Sequence, residues 1–216
     1  MTTTVISPTN WLQVLESKAG GEHNCFPGNG TLNTSVTSSL YGYRPVGTRY
    51  YASTNPWRAW LSGNSIDLSG IPTNALILDV DIDYYVRVDD TSQNFYIEMY
   101  DLQWGSLWST SDWQSSSQLA ALKAASKMMA NDNTSGVSVG WNVMNPSGTN
   151  AIDAIQAGIG NASWDFMLAS NQHSTDVTMN TSERSVLDLD IYTYPIEFTI
   201  TYVVPDNLPI FLGTHF

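Results

Sequence analysis

Three kinds of side chain in this sequence could do chemistry: histidines, clustered carboxylates and tryptophans. The histidines are His23, His173 and His215. They are far apart, and their spacing suggests neither a catalytic triad nor a metal site. Asp79, Asp81 and Asp83 alternate along one stretch. Clustered carboxylates can bind calcium, but same-face residues on a strand lie about 6.7 Å apart and no glycine-bearing ligand loop accompanies them. They read instead as a solvated outer face, paired with Arg87 or a neighbouring strand. A glycosidase needs two carboxylates about 5–9.5 Å apart across a cleft. Glu98, Asp101, Asp188 and Asp190 could be combined that way, but any acidic β protein offers such pairs. The single cysteine, Cys25, excludes an intrachain disulfide and a cysteine-based metal site. No catalytic, cofactor or metal residue is expected, and the chain reads as non-enzymatic.

Eight tryptophans are many for 216 residues. Trp141 and Trp164 fall in strand-like runs and are expected in the core. Trp57, Trp60, Trp104, Trp108 and Trp113 lie in or beside loops. Exposed, they would form a sugar-stacking platform or a protein interface; buried, they would plug the ends of a sandwich.

The net charge of −12 repels phosphate backbones and anionic lipid, and the eight Lys and Arg form no basic run. Nucleic acid is therefore not an expected partner. No apolar run approaches the ~20 residues that span a bilayer. The N-terminal MTTTVISPTN has neither the charge nor the apolar stretch of a signal peptide, so synthesis in a cytosol is expected.

The elements that must position these residues are strands. In Leu76 to Val88, the even positions Leu76, Leu78, Val80, Ile82, Tyr84, Val86 and Val88 are apolar, and the odd ones carry Asp79, Asp81, Asp83 and Arg87. That alternation predicts a strand with one buried and one charged face. Ile196, Phe198, Ile200, Tyr202 and Val204 predict a second, against Glu197, Thr199 and Thr201. Phe95 to Tyr100 reads as the return strand of a hairpin after residues 89–94. Val139, Trp141 and Val143 are expected inward on another strand, and Trp164, Phe166 and Leu168 on a further one. Two helices are expected in crossovers, Gln118–Ala130 and a short one within Asn150–Gly160. A third, capped by Thr9 or Asn10, would carry Trp11, Val14 and Leu15 on one face and dock on its own domain or on a partner.

About eight strand-like runs with turns between them suggest an all-β, antiparallel two-sheet jelly-roll sandwich with one or two short helices, with an immunoglobulin-like sandwich as runner-up. The expected organisation is an N-terminal arm over 1–30, a β-sandwich domain over 31–204 and an apolar tail over 205–216. The tail carries Leu208, Ile210, Phe211, Leu212 and Phe216, too apolar for a solvated terminus.

The run WLSGNSIDLSGIPTNALILDVDIDYYV, from Trp60 to Val86, resembles a pattern in jelly-roll modules related to carbohydrate-binding modules, found on bacteriophage virions and bacterial surface proteins. Asp112–Trp113, the segment Ile155 to Gly160, Phe166 with Leu168, and Tyr202–Val203 follow in the same order. The resemblance covers roughly residues 40–204. It implies a non-enzymatic β-sandwich used for decoration, adhesion or glycan contact. The expectation is a capsid decoration or minor capsid protein of a tailed phage, located in the virion and docking on lattice neighbours or copies of itself. Trp11, Val14, Leu15 and the five apolar tail residues would make the docking contacts. The alternative is a carbohydrate-binding or host-adhesion module using the tryptophan loops.

Overall fold

The computed structural model describes residues 1–19, 31–34, 44–50, 56–91, 96–102, 124–130, 137–146, 150–170, 184–189 and 193–205. For residues 10–60 and 184–189 the description is of backbone only. The elements are β1 (Thr2–Ile6), β2 (Asn10–Ala19), β3 (Thr31–Thr34), β4 (Arg44–Tyr50), β5 (Pro56–Ile66), β6 (Leu76–Thr91), β7 (Ile97–Asp101), β8 (Ser126–Ala130), β9 (Gly140–Pro146), α1 (Asn150–Gly158), β10 (Trp164–Ser170), β11 (Arg184–Leu189) and β12 (Glu197–Val203).

The chain is mostly β, and among the described residues every strand pair is antiparallel. One layer runs β1–β12–β6–β9 and the other β5–β10–β7, with β2 on the far edge of β5. β11 and β4 bridge β6 to β5, and β8 bridges β7 to β9. The layers meet through Phe166 of β10 and Phe198 of β12, whose ring centroids are 5.1 Å apart. Around them Ile66, Leu68, Ile82, Tyr84, Ile97, Met99, Trp164, Leu168 and Ile200 form the fully or nearly fully buried core.

β6 organises the array, as its sequence predicts. β12 and β11 follow one another along one of its edges, and β9 pairs with the other. With both edges taken, β6 leaves no place for residues 97–101. The hairpin expected there does not form, and β7 pairs with β10 and β8 instead. The alternation in β6 also slips. Thr201 pairs with Asp79 but Tyr202 pairs with Ile77, so Leu78 is an extra residue in a bulge. Beyond it the phase reverses. Ile77 enters the core while Leu76 and Leu78, expected inward, are exposed.

Two expected helices give way to strands. Residues 10–19 pair with β5 in unbroken register from Asn10↔Ser65 to Ala19↔Pro56. A two-turn helix is marginal alone, whereas a long sheet edge pairs every backbone group that faces it. Ser126–Ala130 is β8, held between β7 and β9, so tertiary pairing overrides the helix propensity of SKMMA. Residues 118–123 lie outside the described residues. The helix expected within 150–160 forms as α1, which buries Ala151, Ala154 and Ile155.

α1 also closes an exposed edge. Gln156 Oε1 accepts from the Ile77 N–H at 2.9 Å, and its Nε2 donates to the Ala75 carbonyl at 3.0 Å. β9 pairs with β6 only over Ile82–Val86, so the side-chain amide replaces a strand at the start of β6. Gln156→Leu should destabilise the fold by about 1–3 kcal/mol in urea denaturation, because two backbone groups lose their partner. The last residue of α1 is Gly158 because no side chain fits. A Cβ there would stand 2.6 Å from Trp164 Cδ1 and 2.8 Å from Leu68 Cδ1. Gly158→Ala should lower stability by about 1–3 kcal/mol through overpacking, read as a fall in Tm.

Candidate functional site

The outer face of the β1–β12–β6–β9 layer is open, and its residues can be taken in rows. Thr3 lies beside Thr201, their hydroxyl oxygens 3.3 Å apart, and Thr201 is opposite Asp79. Val5, Thr199 and Asp81 form the next row. Glu197, Asp83 and Val143 form the third. In the fourth, Tyr85 is opposite Trp141. Tyr194, three residues before β12, lies against the Tyr85 ring.

These three rings form one cluster. Tyr85 and Tyr194 stack at 4.1 Å with an interplanar angle of 23°. Trp141 stands on edge to both, 5.6 Å from Tyr85 and 6.0 Å from Tyr194. The arrangement holds the 193–196 segment to the sheet and leaves the indole in solvent. Trp141 is 46% exposed, Tyr194 39%, Val143 55% and Val139 62%. The turn entering β9 is fixed in advance. Gly140 takes a φ of 120°, a conformation that L side chains rarely adopt. Asn142 Nδ2 donates to the carbonyls of Ser138 and Gly140, both at 2.8 Å, and its Oδ1 accepts from the Ser138 N–H at 3.0 Å. Val139 and Trp141 are thus presented from a rigid turn.

An acidic row borders the apolar one. Asp83 is half-buried, and its carboxyl is held above the ordinary aspartate range, first by desolvation and then by the charge of Asp81. Glu197 is its partner across the ladder, so two carboxylates stand opposite one another on this face. A raised folded-state value means that ionised Asp83 costs stability at neutral pH, and that the cost disappears as pH falls through the folded value toward the unfolded one, near 3.9. Asp83→Asn should therefore stabilise the protein at pH 7 by roughly 0.2–1 kcal/mol, with the gain gone at about pH 3. Chemical denaturation at the two pH values measures it.

The aspartate face is as the sequence predicts: Asp79 and Asp81 are exposed beside the neighbouring threonines. Trp164 is in the core, as expected. Trp141 is not. β9 has the predicted alternation in the opposite phase, because Trp141 and Val143 pair with Tyr85 and Asp83 on the charged face. Met144, opposite Ile82, takes the core position. Trp57 and Trp60 lie within β5 and not in a loop, and Trp11, Val14 and Leu15 lie on β2. Trp104, Trp108, Trp113, Leu208, Ile210, Phe211, Leu212 and Phe216 lie outside the described residues. Of the carboxylates that could have served a glycosidase, Glu98 is buried and accepts the Tyr100 hydroxyl. Asp101 is half-buried, Asp188 lies on β11, and Asp190 lies outside the described residues. A second buried carboxylate, Asp165, accepts from the Ser65 hydroxyl at 2.6 Å.

Sequence reasoning missed Tyr85 and Tyr194. Tyr85 was legible, since it has the odd parity of the aspartates. Tyr194 was not, because it precedes β12 and no local alternation places it beside Tyr85, more than a hundred residues earlier in the chain. Among the described residues no helix is long and apolar enough to cross a membrane. Comparison of the sequence with protein-family models and with curated proteins finds no match in either. The class defined by the fold is thus an all-β antiparallel protein of sandwich character, with one open face that combines aromatic and acidic rows.

Proposed function

We propose that this chain is a non-enzymatic virion structural protein of a tailed phage, a jelly-roll decoration or minor capsid protein. It docks on neighbouring lattice proteins through the open face, with the apolar tail as a second contact. The observation that carries the reading is the uncovered strip of Val139, Trp141, Val143 and Tyr194 on a rigid sheet. Grouped apolar side chains left in water mark an interaction surface, and aromatic anchors on a preorganised scaffold are what binding hot spots are built from. The Trp60 to Val86 resemblance points the same way. So do strand neighbours distant in sequence, such as β6 with β12 and β5 with β10, which jelly-roll wrapping requires. Many copies on a lattice make individually weak contacts effective.

A second reading rests on the same indole. An exposed tryptophan beside tyrosines and hydrogen-bonding carboxylates also suits a glycan, so a carbohydrate-binding or adhesion module is the alternative. The deciding experiment is co-sedimentation of purified protein with particles that lack it, set beside binding to isolated host surface polysaccharide. Saturable uptake by particles, weakened on deleting residues 205–216, is the expected result. Binding to polysaccharide with no uptake by particles would replace the first reading with the second.

A further inference from the structure

We infer that β1 is a self-association edge, at which a second copy of this chain adds its own β1 antiparallel to continue the sheet. β1 ends the strand order, and among the described residues its one strand partner is β12. Its other edge therefore presents a row of backbone N–H and C=O groups. Folded proteins usually guard such edges with lysine, proline, an inward charge or a bulge. Thr2–Ile6, TTTVI, has none of these, and its register with β12 is unbroken from Thr2↔Tyr202 to Ile6↔Phe198.

The partner is argued from symmetry and charge. An antiparallel pair of β1 strands centred on Thr4 sets Thr3 opposite Val5 of the second copy and Thr2 opposite Ile6. Every pair is then uncharged, and threonine and β-branched cross-strand pairs are favourable. Val5, 58% exposed, and Thr3 would continue the outer face, and Thr4 and Ile6 the inner one. Charge disfavours other ways of bringing two copies together. The chain carries −12, and a face-to-face contact would press the Asp79, Asp81, Asp83 and Glu197 rows against one another. In the edge pairing the two β6 strands are five strand spacings apart, about 24 Å, and the two β12 strands, which carry Glu197, three spacings, about 14 Å. Both are beyond the Debye length of about 8 Å at physiological salt, so the acidic rows hardly interact. Five residues bury little area, so the association is weak in solution and favoured where copies are concentrated. The inference rests on the sheet edge alone and not on the attachment reading.

Sedimentation velocity of the full chain over a wide concentration range tests it, with Thr3→Pro and Thr4→Pro as variants. Along an edge strand, alternate residues direct their N–H toward the neighbour and away from it, so one of the two prolines removes an outward N–H and the other an inward one. The wild type should rise with concentration from 23.8 kDa toward twice that mass. The outward variant should keep the wild-type circular dichroism and Tm and stay at monomer mass, whereas the inward variant should lose Tm. A wild type that remains monomeric at every concentration overturns the inference. So does dimerisation of both variants at wild-type strength.

Discussion

Phe166→Ala should lower the stability of the folded chain by about 3–5 kcal/mol, the largest effect expected of any single truncation. The ring is fully buried. It lies at 6.0 Å from Trp164 along its own strand and at 5.1 Å, edge to face, from Phe198 across the core. It is therefore a side chain through which one layer feels the other. Domains of this size are stable by about 5–15 kcal/mol, so the variant should fold but unfold at a much lower urea concentration. The contact itself can be isolated. In a double-mutant cycle with Phe198→Ala, the pair should show a coupling of about 0.5–1.5 kcal/mol beyond the separate losses. A loss near 1 kcal/mol for Phe166→Ala would mean that the layers do not meet at this ring.

Trp141→Asp should leave the fold standing and weaken particle attachment by roughly thirty-fold, the loss of about 2 kcal/mol typical of a central aromatic anchor. The indole is half in solvent, and its ring contacts among the described residues are the two edge-on ones with Tyr85 and Tyr194, so its removal costs the fold little. The new carboxylate would stand next to the Asp83 and Glu197 row, in water and not in the core. In a docked complex it would be desolvated among like charges, which is why aspartate is a stronger test than alanine. Co-sedimentation gives the affinity and circular dichroism the integrity of the fold. A Tm that collapses in Trp141→Asp would return Trp141 to the core, where its strand pattern alone would have placed it.

That pair of tryptophans marks how far the sequence could be read. Period-2 alternation made β6, β9, β10 and β12 legible, and it located the Asp79, Asp81 and Asp83 face. Period alone does not carry phase. Trp164 and Trp141 sit in equally apolar runs, and only the pairing of β9 with Tyr85 and Asp83 turns one inward and the other out. The bulge at Leu78 has the same origin, since one residue inserted opposite β12 reverses every side chain before it. Strand partners were less legible still. Nothing local in residues 10–19 announces that their partner is residues 56–65, so Trp11, Val14 and Leu15 satisfied a helical spacing that the fold does not use. The candidate site was half visible for this reason. Its acidic row is a local pattern, whereas its aromatic row joins Tyr85, Trp141 and Tyr194 from three separate segments.

The attachment role of that aromatic row is the central claim, and oxidative footprinting of the free and particle-bound protein tests it most directly. Trp141 and Tyr194 should be readily oxidised in the free protein and protected once it is bound to particles, while buried Trp164 stays protected in both. Equal oxidation of Trp141 and Tyr194 in the free and bound states would contradict the account, because the protein would then be held to its particle by some other surface.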